Sequence, residues 1–284
     1  MTRDRLYSPK VIKDVLDRHG FRFSKGLGQN FLIDGNIVRA IRQAADITKD
    51  DYVLEIGPGF GTLTEELLLH AKKVVAVEID QRLTSVLADT LSGFDNFKLI
   101  NEDIMKLDVQ ALVEEEFEGQ SFKIVANLPY YITTPIITSL IEADLGETSM
   151  TFMVQKEVAD RIVAGPDNKQ YGSLTLFIDY YTDANIAVLA PKSVFMPQPK
   201  VDSAVVHLVK NQTRPQVDEE KLFRLIHAGF NQRRKTIMNS LTSDKSLQID
   251  KSRLEGVLHD LNLPTNYRAE NLKLEDFINI CKKI

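Results

Sequence analysis

The sequence contains a single cysteine, Cys281, and this scarcity limits the chemistry that the chain can use. One thiol excludes an internal disulfide and any metal site built from several cysteines, and it is typical of a reducing compartment. No apolar run approaches the ~18–20 residues of a membrane-spanning helix. Residues 1–14 lack the apolar core of a secretion signal. These absences predict a cytoplasmic protein that does not enter a membrane.

Histidine is also sparse, and the five residues of this type share no spacing typical of metal ligands. We therefore expect no metal site, and we expect each histidine to lie at the surface or to pack against its neighbours. These residues are His19, His70, His207, His227 and His259.

The net charge of −5 is unevenly distributed along the chain. Residues 1–30 carry a net charge of +4 and residues 211–284 carry +3, which leaves −12 for the middle of the chain. Cationic ends around an anionic body predict contact with a polyanion at the ends. Charge scattered over a solvated surface is the alternative that this distribution leaves open.

Apolar runs of strand length alternate with segments of helical periodicity through most of the chain. Continuous apolar strands that alternate with helices indicate a parallel sheet covered on both faces. We predict an α/β fold with seven strands, at residues 52–57, 73–80, 97–103, 122–127, 150–155, 173–182 and 203–210. Helices are predicted at residues 35–48, 62–71, 81–91, 107–117 and 156–164, with another that starts near Pro135.

The pattern changes after residue 210. Residues 211–220 are polar and typical of a linker, and the periodicity beyond them is helical. We therefore predict two domains, residues 1–210 and a smaller, all-helical domain over residues 211–284.

Polar side chains end three successive strands of the predicted sheet. Glu78 follows Gly57 by 21 residues and ends the second strand, while Asp103 and Asn127 end the third and fourth. Ligands of open parallel sheets bind beyond the carboxyl ends of the strands, where an acid at this spacing accepts hydrogen bonds from ribose hydroxyls. A single acid at such a position is commonly a helix N-cap. Three polar groups facing one glycine loop instead favour a ligand that contains adenosine.

The loop after the first strand, "EIGPGFGTLT", indicates which adenosine ligand this is. Gly57, Gly59 and Gly61 have the spacing G-x-G-x-G, whereas the dinucleotide fingerprint is G-x-G-x-x-G. The loop also has no arginine or lysine to meet a phosphate. These features favour S-adenosylmethionine, which carries adenine, ribose and a charged amino acid but no phosphate.

The sequence "NLPY" at residues 127–130 is similar to the N/D-P-P-Y/F-type signature of methyltransferases that act on exocyclic amino groups of bases. Three further segments accompany it: "KGLGQNFLID" (25–34), "EIGPGFGTLT" (55–64) and "VFMPQPKVDSAVV" (194–206). In this order, the four segments resemble the ribosomal RNA adenine dimethyltransferase family, and within it the bacterial branch that modifies the small subunit. The resemblance extends from about residue 10 to the C-terminus.

This resemblance implies a fold and a reaction. The fold is a Rossmann-like class I methyltransferase domain over residues 1–210, with residues 1–34 as a basic segment and lid, and a helical RNA-binding domain over residues 211–284. The reaction is dimethylation on N6 of two adjacent adenosines near the 3′ end of 16S ribosomal RNA. No large exposed apolar pattern demands a dimer, so we expect a monomer.

The "NLPY" residues suit the activation of an adenine amine. We expect the side-chain oxygen of Asn127 and the carbonyl of Leu128 to accept hydrogen bonds from the amine, so that its lone pair becomes available for attack. Pro129 stiffens the turn, and Tyr130 offers a face on which an extruded adenine stacks. Taken singly, Asn127 is better explained as a cap and Tyr130 as a core aromatic, but the flanking Leu128 and Pro129 and the glycine loop favour the site.

The resemblance also assigns the cofactor contacts. Asn30 and Leu32 belong to the lid, and Asn127 borders the methionine moiety. Gly57 lies on the methionine side, Glu78 at the ribose and Asp103 at the adenine, and Gly59 is a further cofactor contact.

Two positions leave alternatives open. Phe195 is expected to form the second wall of the base pocket, with a hydrophobic plug under the proline-rich loop as the alternative. Tyr131 departs from relatives that often carry asparagine after the "NLPY" box, so its role is left open.

A basic patch near the C-terminus, Arg233, Arg234 and Lys235, is predicted to lie on a helix and to contact RNA phosphates. A solvated helix face is the alternative.

Three other functions compete with the small-subunit dimethyltransferase. One is the antibiotic-resistance methylase of large-subunit RNA, whose members are typically shorter and commonly have isoleucine in place of Leu128. Another is an assembly factor that acts mainly by binding, and the third is a nicotinamide-dependent dehydrogenase, which the glycine spacing disfavours.

Overall fold

The computed structural model of the chain describes residues 5–21 and 28–284. The lid segment predicted at residues 1–34 and the "KGLGQNFLID" motif therefore fall partly outside the described residues. None of the helices in the described ranges is long and apolar enough to cross a bilayer.

A seven-stranded sheet forms the centre of the fold. Its strands are β2 (Tyr52–Ile56), β3 (Lys73–Val77), β4 (Phe97–Ile100), β5 (Phe122–Asn127), β6 (Ser149–Gln155), β7 (Thr182–Ala190) and β9 (Ser203–Lys210). They lie in the order β4-β3-β2-β5-β6-β9-β7; strands β4, β3, β2, β5 and β6 run parallel, and β9 is antiparallel to β6. The predicted Rossmann-like, mostly parallel sheet of seven strands is confirmed.

Helices connect the parallel strands. Because helices cover the sheet, the central strands bury their side chains on both faces, and Val53, Leu54, Val74, Val75 and Ile124 are fully buried. The helices before β6 are α1 (Pro9–His19), α2 (Gly35–Ala44), α3 (Thr62–His70), α4 (Arg82–Thr90), α5 (Val109–Phe117) and α6 (Thr133–Ala143). Helix α7 (Lys156–Ile162) follows β6.

The strand register brings three predicted site residues into one row. Ile56 of β2 pairs with Val77 of β3 on one side and with Ala126 of β5 on the other. The next residue of each strand therefore lies at the same edge of the sheet. These residues are Gly57, Glu78 and Asn127.

A second, two-stranded sheet pairs β1 (Phe31–Leu32) with β8 (Phe195–Met196). The strands are antiparallel, and Leu32 lies opposite Phe195. The backbone N–H of Ile33 also donates to the carbonyl of Val194 at 2.9 Å. The segment before α2 is thus attached to the proline-rich loop.

The strand predicted at residues 173–182 is wrong. Residues Ser173–Tyr181 form helix α8, and the seventh strand is β7, the next segment of the chain. The β-branched and aromatic residues of α8 favour a strand locally, but burial of Leu176 and Tyr180 in a helical core overrides this preference. Strand β7 alternates between exposed and half-buried residues, as expected at the edge of a sheet.

The chain divides into two compact units, and this division differs from the predicted boundary. Unit 1 comprises Met1–Ala159 and Asn185–Lys210, and unit 2 comprises Asp160–Ala184 and Asn211–Ile284. Residues 160–184 belong to unit 2 because α8 packs into the core of the C-terminal helices. Those helices are α9 (Glu219–Asn231), α10 (Ile237–Ser243), α11 (Lys251–Asp260) and α12 (Leu274–Lys283).

Candidate active site

A cavity of about 320 Å³ opens in unit 1 at the carboxyl ends of the parallel strands. It brings together most of the residues that the sequence predicts for the site. They are Asn30, Leu32, Gly57, Gly59, Glu78, Asp103, Asn127, Leu128, Pro129 and Tyr130.

The glycine loop between β2 and α3 approaches other parts of the cavity closely. Gly57 and Gly59 have φ angles of +70° and +58°, which side chains rarely adopt. A Cβ atom at Gly59 would lie 2.7 Å from the ring of Phe31, so only glycine fits there without displacing β1. The loop therefore leaves its backbone bare on the cavity side.

The carboxylate of Glu78 is held in place by two backbone N–H groups. Gly59 donates to its Oε2 at 3.2 Å, and Asp80 donates to its Oε1 at 2.8 Å. The side chain is 6% exposed, and this burial raises the pKa of Glu78 to about 7. A carboxylate fixed in this way has a set direction from which to accept hydrogen bonds from a ligand's hydroxyls.

Asp80, which the sequence analysis did not single out, does not line the cavity but is hydrogen-bonded to two residues that do, Gln29 and Glu78. Arg82 donates to both of its carboxylate oxygens, at 2.8 and 2.6 Å, and the side chain of Gln29 donates to Oδ2 at 2.7 Å. The hydrogen bonds from Arg82 lower the pKa of Asp80. Its position two residues after Glu78 was the available signal.

The side chain of Asn127 has a fixed orientation. Its Nδ2 donates to the main-chain carbonyl of Asn30 at 3.1 Å. Because a carbonyl only accepts, the amide nitrogen must face Asn30, and the oxygen Oδ1 must face the other way. This leaves an acceptor at the end of β5, directly beside the glycine loop.

The residues after Asn127 form a rigid turn. The N–H of Leu128 donates to the carbonyl of Met153 at 3.1 Å, and the carbonyl of Pro129 accepts from Oγ1 of Thr133 at 2.9 Å. The hydroxyl of Tyr130 is hydrogen-bonded to Oγ of Ser203 at 2.6 Å. Burial raises the pKa of the Tyr130 phenol, so this group keeps its proton at neutral pH.

Asp103 serves two purposes. It lines the cavity, and its Oδ1 accepts from the N–H of Met105 at 3.0 Å, which stabilises the turn after β4. Asp103 therefore lies at the ligand cavity as predicted and is not a helix N-cap, because the cap of α5 is Asp108.

Charge in the cavity is of one sign. Among the described residues that line it there is no lysine or arginine, and the acids Glu78, Glu102 and Asp103 contribute negative charge. Glu55 also lines the cavity, but burial raises its pKa to about 8, so its carboxyl is protonated at neutral pH. Such a lining suits a cationic ligand and disfavours a diphosphate. Two apolar residues beside the acids, Ile79 and Ile104, also line the cavity, and Ile79 is 49% exposed.

Phe195 does not line the cavity. It is 3% exposed and packs in the apolar core of unit 1, opposite Leu32 across the β1–β8 pair. This is the position of the hydrophobic plug, the alternative interpretation of this residue, and the expected role as a wall of the base pocket is not supported.

The basic patch lies in a turn between α9 and α10, and its predicted helical placement is wrong. Helix α9 ends at Asn231, because Gln232 leaves the helical conformation. The guanidinium of Arg233 donates to the carbonyls of Tyr171 at 2.8 Å and Lys169 at 3.2 Å. Arg234 and Lys235 are exposed.

Known proteins are similar along nearly the whole chain. The ribosomal RNA small subunit methyltransferase A of Geobacillus kaustophilus is 49% identical over 277 residues, which cover 96% of this chain and 94% of that protein. The protein of the same name from Lachnoclostridium phytofermentans is 48% identical over 278 residues, or 97% and 96% of the two chains.

Solved structures share the fold at lower identity. A dimethyladenosine transferase from Plasmodium falciparum has a TM-score of 0.76 at 27% identity, over 88% of this chain and 95% of that one. The 23S rRNA methyltransferase ErmE has a TM-score of 0.71 at 26% identity, over 89% of this chain and 99% of that one.

The match to a family of known proteins covers the residues that form the cavity. Residues 20–284 match the family described as ribosomal RNA adenine dimethylase. This range includes the glycine loop, the row of polar residues at the strand ends and all of unit 2. The chain belongs to the ribosomal RNA adenine dimethylase family.

Proposed function

We propose that this protein transfers methyl groups from S-adenosylmethionine to N6 of two adjacent adenosines near the 3′ end of 16S ribosomal RNA, each of which is methylated twice. Family membership supports the reaction class, and the two relatives of 48–49% identity are named ribosomal RNA small subunit methyltransferase A. The observation that carries the proposal is the orientation of Asn127, whose oxygen is an acceptor at the strand ends beside the glycine loop.

The residues of the cavity fit the cofactor. Glu78 would accept hydrogen bonds from the ribose hydroxyls, and Asp103 would accept from the adenine amine, with Ile79 and Ile104 as apolar surfaces for the ring. The acidic lining of the cavity favours a cation. The remaining contacts would come from Asn30, Leu32, Gly57, Gly59 and Asn127. When bound, S-adenosylmethionine supplies a methyl group on a sulfonium centre as the electrophile.

The amine of the target adenine would be activated by the hydrogen bonds that hold it in place. The lone pair of the exocyclic amine of adenine is delocalised into the ring, so the amine is a poor nucleophile. Oδ1 of Asn127 and the carbonyl of Leu128 would accept hydrogen bonds from the two N–H groups of the amine. These bonds favour a pyramidal nitrogen whose lone pair is available for attack. Holding the reactants in this geometry supplies up to ~7–11 kcal/mol of the barrier reduction. The methylated amine loses its proton readily to water.

Tyr130 would hold the ring of the extruded base. Its hydroxyl is already bonded to Ser203, so the phenol is fixed and its face is left for stacking. A base stacked on an aromatic side chain gains ~1–3 kcal/mol.

The RNA would be held by phosphate contacts outside the cavity. Arg234 and Lys235 are exposed and can reach phosphates, whereas Arg233 is bonded to unit 2 itself. We propose that the protein acts in the cytoplasm as a monomer and that residues 211–284 contribute the RNA-binding helices.

The test is methylation of purified ribosomal subunits that lack these modifications. With labelled cofactor, the protein should form N6,N6-dimethyladenosine in small subunits and none in large subunits. Label in large subunits alone would indicate the antibiotic-resistance type of methylase. No product in either subunit would overturn the proposal and favour an assembly factor that acts by binding.

A further inference from the structure

Tyr131 is an exposed aromatic side chain at the edge of the cavity. It lines the cavity together with Pro129 and Tyr130, yet 59% of it is exposed. A single exposed apolar side chain is ordinary at a protein surface, but an exposed ring that also lines a ligand cavity is in a position to contact a ligand.

The ring is supported from one side. A Cβ atom at Gly28, which has a φ of +60°, would lie 3.3 Å from Cδ1 of Tyr131. The bare backbone of Gly28 thus packs close to the ring edge, and a side chain there would press on it. The turn that carries Tyr131 is held by the bond between Thr133 and the Pro129 carbonyl. The ring is therefore braced, and its exposed surface is not due to a loose segment.

The two neighbouring tyrosines have different environments. Tyr130 has its hydroxyl bonded to Ser203 and is partly buried, so it belongs to the interior of the cavity. Tyr131 follows it directly and lies outward from it, at the entrance. A nucleotide chain that places one base inside the cavity must leave through this entrance, because the neighbouring nucleotides are covalently attached to the extruded one.

We propose that Tyr131 is the stacking surface for the nucleobase next to the adenosine being methylated. The proposal rests on the proposed function, because it takes an RNA strand to be the substrate. An unpaired base is the occupant that fits, since a single braced ring offers one flat apolar face of the size of a base. A sequence-tolerant face of this kind would position the strand without selecting the neighbouring base.

The first test is kinetic and uses small ribosomal subunits that lack the modification. Tyr131→Ala should raise the KM for subunits at least about fivefold, whereas Tyr131→Phe, which keeps the ring, should behave like the wild type. The Kd for S-adenosylmethionine should be unchanged in both variants, which shows that the cavity is intact. An unchanged KM in Tyr131→Ala overturns the proposal.

The second test identifies the nucleotide. The photo-crosslinking residue p-benzoylphenylalanine is placed at position 131 and, as a control, at position 189, where Leu189 on the edge strand β7 is 61% exposed and does not line the cavity. The crosslink from position 131 should map to a nucleotide adjacent to a methylated adenosine, and position 189 should give none there.

The outcomes separate this proposal from the proposed function. Wild-type protein that forms no dimethyladenosine on the same subunits overturns both. Wild-type activity combined with a crosslink from position 131 to a distant nucleotide, or to a ribosomal protein alone, overturns the stacking role and leaves the reaction in place.

Discussion

The side-chain amide of Gln29 donates a hydrogen bond of 2.7 Å to the carboxylate of Asp80, 51 residues further along the chain. The N–H of Asp80 in turn donates to Glu78, the proposed ribose ligand. The segment in front of β1 is therefore connected through one carboxylate to the cofactor side of the cavity. Because Arg82 also donates to Asp80, Gln29 is bonded to a carboxylate whose orientation is already fixed.

Removal of this contact should weaken cofactor binding. Gln29→Leu deletes a hydrogen bond to a charged group, which is worth ~1.5–3 kcal/mol, so we expect the Kd for S-adenosylmethionine to rise roughly tenfold in calorimetric titration. Gln110→Leu is the matched control, since Gln110 donates to Glu114 at 2.6 Å on the surface of α5, away from the cavity. Equal Kd values for the two variants would refute the role of Gln29.

Asn127 is predicted to affect the chemical step most strongly. Asn127→Ala removes the acceptor for the amine and should lower kcat by about 100-fold or more, the scale expected when a reactant loses its alignment. Asn127→Asp keeps an acceptor but places a carboxylate against the carbonyl of Asn30, so it should also lose activity. Single-turnover methylation with saturating cofactor measures this step. A variant with normal kcat would contradict the proposed activation of the amine.

Glu55 should make stability depend on pH. It lies on β2, is 1% exposed, and its burial raises the pKa of the carboxyl from 4.5 to about 8. The unfolded chain loses this proton near pH 4.5, while the folded chain keeps it until about pH 8. The free energy of unfolding should therefore fall as the pH rises from 5 to 8.

The substitution Glu55→Gln removes that titration and should flatten the slope in denaturation of the ligand-free protein. Glu78, whose pKa is raised to about 7, leaves a smaller slope of the same sign. Glu142→Gln, at an exposed position of α6, should keep the wild-type slope. A slope in Glu55→Gln as steep as in the wild type would show that Glu55 ionises in the folded protein near its ordinary pKa.

Substitutions of the three cations in the basic patch should have different effects, on RNA binding for two of them and on stability for the third. Arg234→Ala and Lys235→Ala should each weaken binding to small subunits and reduce the dependence of log K on log salt concentration by about 1. Arg233→Ala should instead lower the free energy of unfolding by about 1 kcal/mol, because its hydrogen bonds to Tyr171 and Lys169 are lost. Salt titrations of binding and chemical denaturation measure the two effects. A reversed pattern would show that the turn presents Arg233 to RNA.

Short-range patterns predicted most of the sheet and much of the cavity lining. The glycine spacing around Gly57 and the polar residues at the strand ends are local signals, and parallel register brings them together without further information. The strand assigned to residues 173–182 failed because its residues favour a strand locally, while packing against distant helices decides their conformation. For Phe195 the structure favours the buried plug, one of its two sequence interpretations, and nothing in the local sequence shows that its ring turns into the core.

Contacts between distant segments were not predictable at all. Gln29 and Asp80 are ordinary polar residues in the sequence, and they meet only because the fold brings the segment before β1 next to the turn after β3. The same is true of Tyr130 and Ser203, which are 73 residues apart.

The carboxylate of Glu78 is already clamped by two amide groups in the folded chain. The conformational entropy lost in immobilising it is thus lost during folding rather than at the moment of association, so an arriving ligand retains more of its contact energy as affinity. The same clamp makes the site selective, because a side chain that cannot swing aside rejects any molecule whose hydroxyl groups do not coincide with its two oxygens.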